Sequence, residues 1–344
     1  MTGGAAGRPR AISAFPLAMT RRDILDLLFR LPWPELREAA RLQRRAALGR
    51  RARVRGLLEF SNLCRRNCRY CGLRAQHRAL RRYCLTADEI LAAARQATAA
   101  GVDTLVLQSG EWERPPDWLA GIVARVKAEC GLAVTLSVGE MPRAHYACWR
   151  EAGADRFLLR HETADAALYA RLHPGYRLAD RVRALEWLAE LGYAVGAGFL
   201  VGVPGQRPAS LADDILLVRR LNVAMCGVGP FIPQAATPLA HAPQGDVPLT
   251  LRVLAVLRLA LPTAHLPATT ALASLSPEDG QRQGLLAGAD VLMPSFTPPA
   301  RRAAYRIYDH KAQVSMAAAC RAIQAAGLRY CPPRPPTFGD LRHD

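Results

Sequence analysis

Three cysteines are grouped in one short segment of the chain, Cys64-Arg-Arg-Asn-Cys68-Arg-Tyr-Cys71. Three thiolates at this C-x3-C-x2-C spacing can surround one face of a cubane [4Fe-4S] cluster, which usually has four cysteine ligands. One iron then keeps an open position that can bind a small molecule. The spacing differs from the paired cysteines of most zinc sites, although a zinc site completed by His77 or Cys84 is an alternative.

The remaining cysteines do not extend this group. A protein of the cytoplasm is not expected to carry a disulfide framework, and single cysteines are usually small buried apolar residues. We therefore expect most of them to be structural. They are Cys84, Cys130, Cys148, Cys226, Cys320 and Cys331.

The charge of the chain is strongly positive, at a formal +17 over 344 residues. Nearly all basic residues are arginine, with lysine only at Lys127 and Lys311, and they are scattered along the sequence. Arginine on solvated helix faces explains this pattern, so we do not expect nucleic-acid binding. The alternative is docking of an acidic partner, either a protein or a nucleic acid.

The sequence carries no signal that directs it to a membrane. No apolar run has the length needed to span a bilayer. The N-terminal segment lacks the apolar core and cleavage pattern of a signal peptide. We therefore expect a cytoplasmic protein with no membrane partner.

Short apolar runs alternate with amphipathic stretches over most of the chain, which indicates parallel βα units. The predicted strands are Val54–Phe60, Asp103–Gln108, Ala133–Val138, Arg156–Arg160, Ala194–Val201, Met225–Pro230, Leu266–Thr270 and Asp290–Met293. The predicted helices between them are Thr86–Ala100, Pro116–Glu129, Arg143–Ala152, Ala179–Leu191, Ala209–Leu221, Leu249–Leu259 and Pro277–Ala287. Eight strands can close a (β/α)8 TIM-type barrel, and an open doubly wound sheet is the alternative.

The predicted strands and helices divide the chain into three parts. Residues 1–53 form an N-terminal helical extension, with helices at Arg21–Arg30 and Pro34–Ala47. Residues 54–298 form the α/β barrel, and residues 299–344 form a C-terminal helical cap and a Pro-rich tail.

Polar and glycine residues stand where the predicted strands end, and in such a barrel the C-terminal strand ends form the active site. The cysteine segment itself follows the first strand. The other candidates are Gln108, Ser109, Gly110 and Glu111 after the second strand, Ser137 after the third, Arg160 and Glu162 after the fourth, Leu200 in the fifth, and Thr269 and Thr270 in the seventh.

The cysteine pattern and its place after the first strand resemble the radical S-adenosylmethionine superfamily. The resemblance implies a [4Fe-4S] cluster on Cys64, Cys68 and Cys71, whose open iron binds S-adenosylmethionine and whose electron cleaves it to methionine and a 5′-deoxyadenosyl radical. It also implies that the Gln108–Glu111 segment contacts the methionyl amino group and that the Gly198–Gln206 segment, which contains Leu200, approaches the adenine.

The remaining candidates are assigned from their chemistry. Arg160, Glu162 and Arg181 complement the carboxylate and the positive charges of S-adenosylmethionine, with a structural ion-pair network as the alternative. Tyr70 stands beside the last cysteine, and Ser137 can donate to a carboxylate or a ribose. The hydroxyls of Thr269 and Thr270 can hold a small anion or an amino-acid-like substrate, or can simply belong to a strand.

Several longer segments narrow the resemblance to the HydE family of [FeFe]-hydrogenase maturases, within the biotin synthase-like group. These segments are Glu59–Arg74, Leu107–Glu111, Thr135–Glu140, Leu159–Thr163, Gly227–Pro233 and Pro267–Ala271. The resemblance implies a step in assembling the diiron cofactor, on a small organometallic iron–cysteine substrate. It also implies a reductase, ferredoxin or flavodoxin as electron donor and other hydrogenase maturases as partners.

One departure concerns a second cluster, which many HydE proteins hold on a cysteine group near the C-terminus. Cys320 and Cys331 are too isolated for that motif, so we predict only one cluster. Methylornithine synthase and biotin synthase share the cluster loop and remain alternatives. A basic metal-containing nucleic-acid-binding protein is the alternative from another class.

Overall fold

Strands and helices alternate along the part of the chain that the computed structural model describes, residues 19–330 and Pro332. The helices are α1 (Arg21–Phe29), α2 (Trp33–Leu48), α3 (Ala87–Ala99), α4 (Pro116–Cys130), α5 (Arg143–Glu151), α6 (Ala166–Leu172), α7 (Leu178–Glu190), α8 (Pro208–Arg220), α9 (Val247–Ala260), α10 (Thr270–Leu275), α11 (Gly280–Leu286), α12 (Pro299–Arg302) and α13 (Met316–Ala325). The strands are β1 (Arg51–Val54), β2 (Gly56–Ser61), β3 (Thr104–Ser109), β4 (Ala133–Ser137), β5 (Arg156–Leu158), β6 (Ala194–Val201), β7 (Met225–Pro230), β8 (Val291–Leu292) and β9 (Arg329–Tyr330).

Six parallel strands form one sheet in chain order, from β2 to β7. Isolated parallel bridges continue the pairing beyond β7 to β8, which in turn pairs with β1. The bridging pairs are Met225 with His265, Pro267 with Val291, and Leu57 with Ser295. The last of these returns to β2, so the pairing runs around a ring. This confirms the predicted α/β fold of the TIM type.

Two predicted strands differ from the observed ones. The first is divided at Arg55, because its β1 half pairs with β8 and β9 whereas its β2 half pairs with β3. The seventh, predicted at Leu266–Thr270, is reduced to single bridges because Pro267 has no N–H to donate to a ladder. Thr270 is therefore not a strand residue and begins α10.

Helix starts are well specified by the sequence. Thr86 caps α3 in the predicted capping box: its hydroxyl accepts from Glu89 N–H, and the Glu89 carboxylate accepts from Thr86 N–H. Thr20 and Asp23 form a second capping box at the start of α1. Two short helices were not predicted, α6 and α10, which have only seven and six residues. A segment of six or seven residues is too short to show a recognisable helical period of apolar residues.

The extension and the cap both pack on the barrel. Helix α2 packs against α9 and α1 against α8, while α13 contacts α11. Strand β9 pairs with β1, so the end of the cap reaches the start of the barrel. The division at residues 53 and 54 stays a prediction, and β1 spans it. The predicted tail lies outside the described residues except for Pro332.

Five arginines of the described chain are buried, so arginine does not serve solvated faces alone. Arg258 is fully buried and donates to the carbonyls of Gly288, Pro262 and Ala264, and to the carboxylate of Asp290. A planar guanidinium with five donors can satisfy such a set of carbonyls, which an ammonium cannot.

In the described part of the chain, no helix is long and apolar enough to cross a membrane.

Candidate functional site

The cysteine loop leaves β2 at the C-terminal edge of the sheet and is anchored along its length by backbone bonds. Arg65 N–H donates to the Glu111 carbonyl at 2.6 Å, and Arg69 N–H donates to the Leu172 carbonyl at 2.9 Å. Gly72 N–H donates to the Ile307 carbonyl at 3.0 Å. The loop is therefore tied to the second strand end, to α6 and to the C-terminal cap.

The three cysteines of this loop lie close enough to influence one another electrostatically. Burial, together with the neighbouring Cys64 thiol, raises the pKa of Cys68 to about 12. Burial also raises the pKa of Cys64 and, well above its ordinary value, that of Cys71, to which both other thiols contribute. A cationic iron cluster would reverse this tendency, because thiol ligands bind metals as thiolates and release their protons.

The grouping differs from a site for a single ion. Among the described residues, no three His, Cys, Asp or Glu side chains converge closely enough to hold one metal ion. A cubane cluster needs no such convergence, because each thiolate binds a different iron atom. The grouping of Cys64, Cys68 and Cys71 on one loop therefore fits the cluster chemistry that their spacing predicts.

Four charged side chains hold the base of the loop, three of them buried and that of Glu140 partly buried. Arg66 Nε lies 2.5 Å from Glu111 Oε1, and a second nitrogen of Arg66 lies 3.3 Å from Glu140 Oε2. Arg181 Nε donates to Glu140 Oε2 at 2.7 Å, and Glu140 N–H donates to Glu111 Oε2 at 2.8 Å. Two arginines and two glutamates thus neutralise one another, which buried ions require. We name Arg66, Glu111, Glu140 and Arg181 the buried charge cluster.

Two glycines let this base pack closely. A Cβ on Gly110 would lie 2.2 Å from the Leu63 carbonyl oxygen and 2.8 Å from Cys64 Cβ. A Cβ on Gly139 would lie 2.6 Å from the side chain of Glu111, at a φ of +87° that also favours glycine. No side chain of any size fits at either position without moving the cysteine loop or its carboxylate support.

A cavity of about 280 Å³, open to solvent, lies inside the ring of strand ends beneath the cysteine loop. This volume is close to the lower end of the range of small-molecule binding sites. Predicted residues that line it are Cys64, Tyr70, Cys71, Gln108, Ser109, Gly110, Arg160, Glu162, Leu200, Thr269 and Thr270. The sequence therefore identified residues from five strand ends that the fold brings to one cavity.

One wall of the cavity carries an arginine–glutamate pair. A terminal nitrogen of Arg160 lies 3.0 Å from Glu162 Oε2 and donates to the Phe199 carbonyl at 2.8 Å. Glu162 has a φ of +65°, rare for a residue with a side chain, and its backbone carbonyl accepts from Leu200 N–H at 3.1 Å. The strained backbone holds the carboxylate at the cavity, where positive and negative charge stand side by side.

Tyr70 forms part of the wall between this pair and the cysteines. Its hydroxyl lies 3.0 Å from His173 Nε2, and the two rings meet edge to face. Burial lowers the pKa of His173 to about 3, with the nearby Arg181 charge acting in the same direction. The imidazole is therefore neutral and fixes the orientation of the Tyr70 ring.

Four predicted residues lie outside the cavity lining, and one of them is Cys68 of the cysteine loop. Glu111 and Arg181 are engaged in the buried charge cluster, where Arg181 also donates to the Arg160 carbonyl at 2.7 Å. Arg181 therefore lies in an ion-pair network, and its contact with the cosubstrate stays a prediction. Ser137 ends β4 and is half-buried, but it does not line the cavity.

Four polar lining residues were missed by the sequence reasoning. They are Glu59 on β2 and Tyr305, Tyr308 and Lys311 from the C-terminal cap. Lys311 Nζ lies 2.7 Å from Glu59 Oε1. The signal that could have found Lys311 is the scarcity of lysine, since a chain rich in arginine has only two.

Of the isolated cysteines in the described part of the chain, one is buried as the sequence predicts and four are not fully buried. Cys226 is buried, whereas Cys84, Cys130, Cys148 and Cys320 are partly buried. Cys331 lies outside the described residues. The prediction of a single cluster stays a prediction.

Comparisons with known proteins agree with the chemistry of this site. The model of the radical SAM superfamily matches residues 58–218. The [FeFe] hydrogenase maturase subunit HydE of Thermotoga maritima is 43% identical over 85% of this chain and 89% of that protein. Biotin synthase of Desulforudis audaxviator is 30% identical over 67% of this chain and 71% of that protein. The crystal structure of methylornithine synthase (PylB) superposes with a TM-score of 0.82 at 29% identity, covering 93% of this chain and 96% of that one.

Proposed function

The chain belongs to the radical S-adenosylmethionine superfamily and, within it, to the family of the [FeFe]-hydrogenase maturase HydE, and on this premise we propose how its cavity performs the reaction of that family. It is an enzyme whose cofactors are a [4Fe-4S] cluster and S-adenosylmethionine. The observation that carries the proposal is the grouping of three cysteine thiols on one loop above a cavity with a charged wall. Because the chain belongs to an enzyme family, the enzyme is favoured over the alternative of a nucleic-acid-binding protein.

Cys64, Cys68 and Cys71 would hold the cluster. When bound, the cluster supplies the electron that cleaves S-adenosylmethionine to methionine and a 5′-deoxyadenosyl radical. The rest of the chain would hold the cysteine loop in place. The buried charge cluster fixes this loop, and Gly110 lets the end of β3 approach Cys64. Three cysteine ligands leave one iron free for the cosubstrate.

Arg160 and Glu162 would bind the charged groups of S-adenosylmethionine. A guanidinium can hold a carboxylate through two parallel hydrogen bonds, and a carboxylate attracts the amino or sulfonium charge. Gln108, Ser109, Gly110 and Leu200 line the same cavity and would contact the cosubstrate with Tyr70. Glu111 and Arg181 are assigned supporting roles, through the loop and through the backbone of Arg160. Ser137 does not line the cavity, so it would donate to the carboxylate or ribose of the cosubstrate through a group that lies between them.

The substrate is a small molecule, and we assign it the chemistry of an iron–cysteine precursor of the diiron cofactor. Thr269 and Thr270 would contact it from the far wall. A low-potential ferredoxin, flavodoxin or reductase would deliver the electron, and other hydrogenase maturases would exchange the substrate and product. All of these partners belong to the cytoplasm, which we propose as the location.

The decisive test begins with anaerobic reconstitution of the protein with iron and sulfide, followed by dithionite and S-adenosylmethionine. We expect a brown protein that forms 5′-deoxyadenosine, measured by chromatography. Cys64→Ala, Cys68→Ala and Cys71→Ala should lose both the colour and the product. Cys148→Ala, at a cysteine remote from the loop in sequence and partly buried, is the matched control and should keep both. Absence of 5′-deoxyadenosine from a fully loaded protein contradicts the mechanism.

A second test separates HydE activity from that of methylornithine synthase. The chain replaces HydE in a maturation system that contains the other maturases and an inactive [FeFe]-hydrogenase. We expect hydrogen evolution to be restored by the wild type and not by Cys64→Ala. A protein that forms 5′-deoxyadenosine but restores no hydrogenase would belong to the same superfamily with a different substrate.

A further inference from the structure

An ion pair stands in the cavity wall beside the cysteine loop. Lys311 Nζ lies 2.7 Å from Glu59 Oε1, and their side chains are 8% and 1% exposed. Glu59 Oε2 accepts a hydrogen bond from the Thr297 hydroxyl at 3.2 Å. The carboxylate is thus fixed from the barrel side, while the ammonium is carried by the C-terminal cap.

The ammonium has donors to spare. A lysine ammonium carries three N–H groups, and within residues 19–330 its only polar contact is the one with Glu59. The Tyr305 ring lies 5.9 Å from Lys311 Nζ and accepts no full hydrogen bond at that distance. Both Lys311 and Glu59 line the cavity, so the remaining donors are available to a ligand there.

A second donor stands on the same wall. Thr269 Oγ1 is buried and, among the described residues, has no hydrogen-bond partner. It precedes α10, whose Ser274 hydroxyl accepts from Ala312 N–H at 2.9 Å, so the chain beside Lys311 packs on that short helix. An unpaired buried hydroxyl is costly, and an acceptor atom of a ligand would remove the cost.

The Lys311–Glu59 pair and the Arg160–Glu162 pair have no residue in common. Both pairs line the cavity, and so does Tyr308. The cavity therefore has two charged regions, each with one positive and one negative group. S-adenosylmethionine has a single amino-acid head group and can satisfy only one of them.

We propose that Lys311 binds the carboxylate of an amino-acid-like substrate, with the Thr269 hydroxyl as second donor and Glu59 orienting the ammonium. The assignment rests on the proposed function, in which this cavity holds a small molecule together with S-adenosylmethionine. A carboxylate that approaches from the cavity meets the free N–H groups of a positive charge that is already oriented. Such preorganisation lowers the cost of binding.

The test compares the binding of L-cysteine with that of cysteamine, which lacks the carboxylate. Cluster-loaded protein saturated with S-adenosylmethionine, without reductant, is titrated by calorimetry. The variants are Lys311→Met, Lys311→Arg and the double variant Glu59→Gln/Lys311→Met, which avoids leaving a buried carboxylate unpaired. The matched control is Lys127→Met, since Lys127 also pairs with a carboxylate, Asp155 at 3.0 Å, but on the outside of the barrel.

We expect the wild type to bind L-cysteine about tenfold or more tightly than cysteamine, as is typical for a hydrogen bond to a charged group. The preference should disappear in Lys311→Met and in the double variant, and should persist in Lys127→Met and partly in Lys311→Arg. Equal binding of the two probes by the wild type, or an unchanged preference in the double variant, overturns the proposal.

Failure of this inference can be distinguished from failure of the proposed function. A protein that forms 5′-deoxyadenosine but keeps its preference for L-cysteine in the double variant refutes the role of Lys311 alone. A protein that binds L-cysteine through Lys311 but forms no 5′-deoxyadenosine refutes the proposed reaction and leaves the carboxylate site standing. The affinity for S-adenosylmethionine, measured in parallel, should change less than twofold in the double variant, whereas collapse of the cavity would lower it.

Discussion

Arg66 Nε lies 2.5 Å from Glu111 Oε1, and both side chains are almost completely buried. Arg66 belongs to the loop that carries the three cysteines, and Glu111 follows the end of β3. The pair therefore joins the cluster loop to the second strand end through charge rather than through apolar contact. The sequence predicts that this carboxylate contacts the cosubstrate, and we propose from its pairing with Arg66 that it supports the cluster loop.

This pair predicts that Glu111→Ala impairs cluster uptake. The change leaves Arg66 short of a partner in a buried place, which costs about 3–5 kcal/mol when a buried pair is broken. Arg66 and Arg181 retain Glu140, so we expect the lower end of that range. Thermal unfolding of the apo-protein and iron content after reconstitution measure the two effects.

Glu113→Ala is the control for this prediction. Glu113 pairs with Arg65 of the same loop, but its side chain is 77% exposed. Exposed pairs contribute little to stability, so iron content and unfolding should be unchanged. Equal effects at Glu111 and Glu113 would show that burial of the pair is irrelevant.

A methyl group at Gly110 should displace the cluster loop. Its Cβ would lie 2.2 Å from a backbone oxygen of Leu63, which cannot move without the adjacent Cys64. We expect Gly110→Ala to lose most of its iron, read from the visible absorption of the reconstituted protein. Gly121→Ala in α4, where no atom lies within 4 Å of the added carbon, should keep its iron. It should also be stabilised by up to about 1 kcal/mol, since alanine favours helix.

Arg160 should control the affinity for S-adenosylmethionine without controlling the cluster. Removing the guanidinium in Arg160→Leu takes away the proposed carboxylate contact and leaves Glu162 without its partner. We expect affinity to fall about tenfold to a hundredfold, with the visible absorption of the cluster unchanged. Arg177→Leu, at an arginine that is 79% exposed and bonded to Asp180, is the control and should bind normally. Unchanged affinity in Arg160→Leu would remove this residue from the site.

His173 should make the apo-protein less stable in acid. Its pKa is about 3 in the folded chain and about 6.5 when unfolded. Between these values the unfolded chain binds a proton that the folded chain does not, so stability falls as the pH is lowered from about 6.5 toward 3. The contribution is about 1.4 kcal/mol per pH unit over that window.

His173→Gln should remove this contribution, and urea unfolding of the apo-protein at several pH values between 4 and 6.5 measures the slope. The exposed His241 provides the control variant His241→Gln, which should keep the wild-type slope. A slope that is identical in His173→Gln and the wild type would show that His173 is protonated in the folded state.

The sequence determined the parts of the site that depend on neighbours along the chain. The spacing of Cys64, Cys68 and Cys71 indicated the cluster because three ligands on one short loop need no distant partner. The alternation of apolar runs gave the βα repeat, and the capping box at Thr86 gave the start of a helix. The strand-end rule then placed Arg160 and Glu162 at the same cavity as the cysteines.

The tertiary structure decided which charges are available to a ligand and which hold the protein together. Glu111 and Arg160 are both polar residues at strand ends, and nothing local distinguishes them. Only the fold shows that Glu111 is enclosed by Arg66 while Arg160 faces the cavity. The pairing of Glu59 with Lys311 was equally inaccessible, because the cap folds back over the first strand from the other end of the chain. Burial and long-range pairing are properties of the packed molecule, and they assign the roles that residue type leaves open.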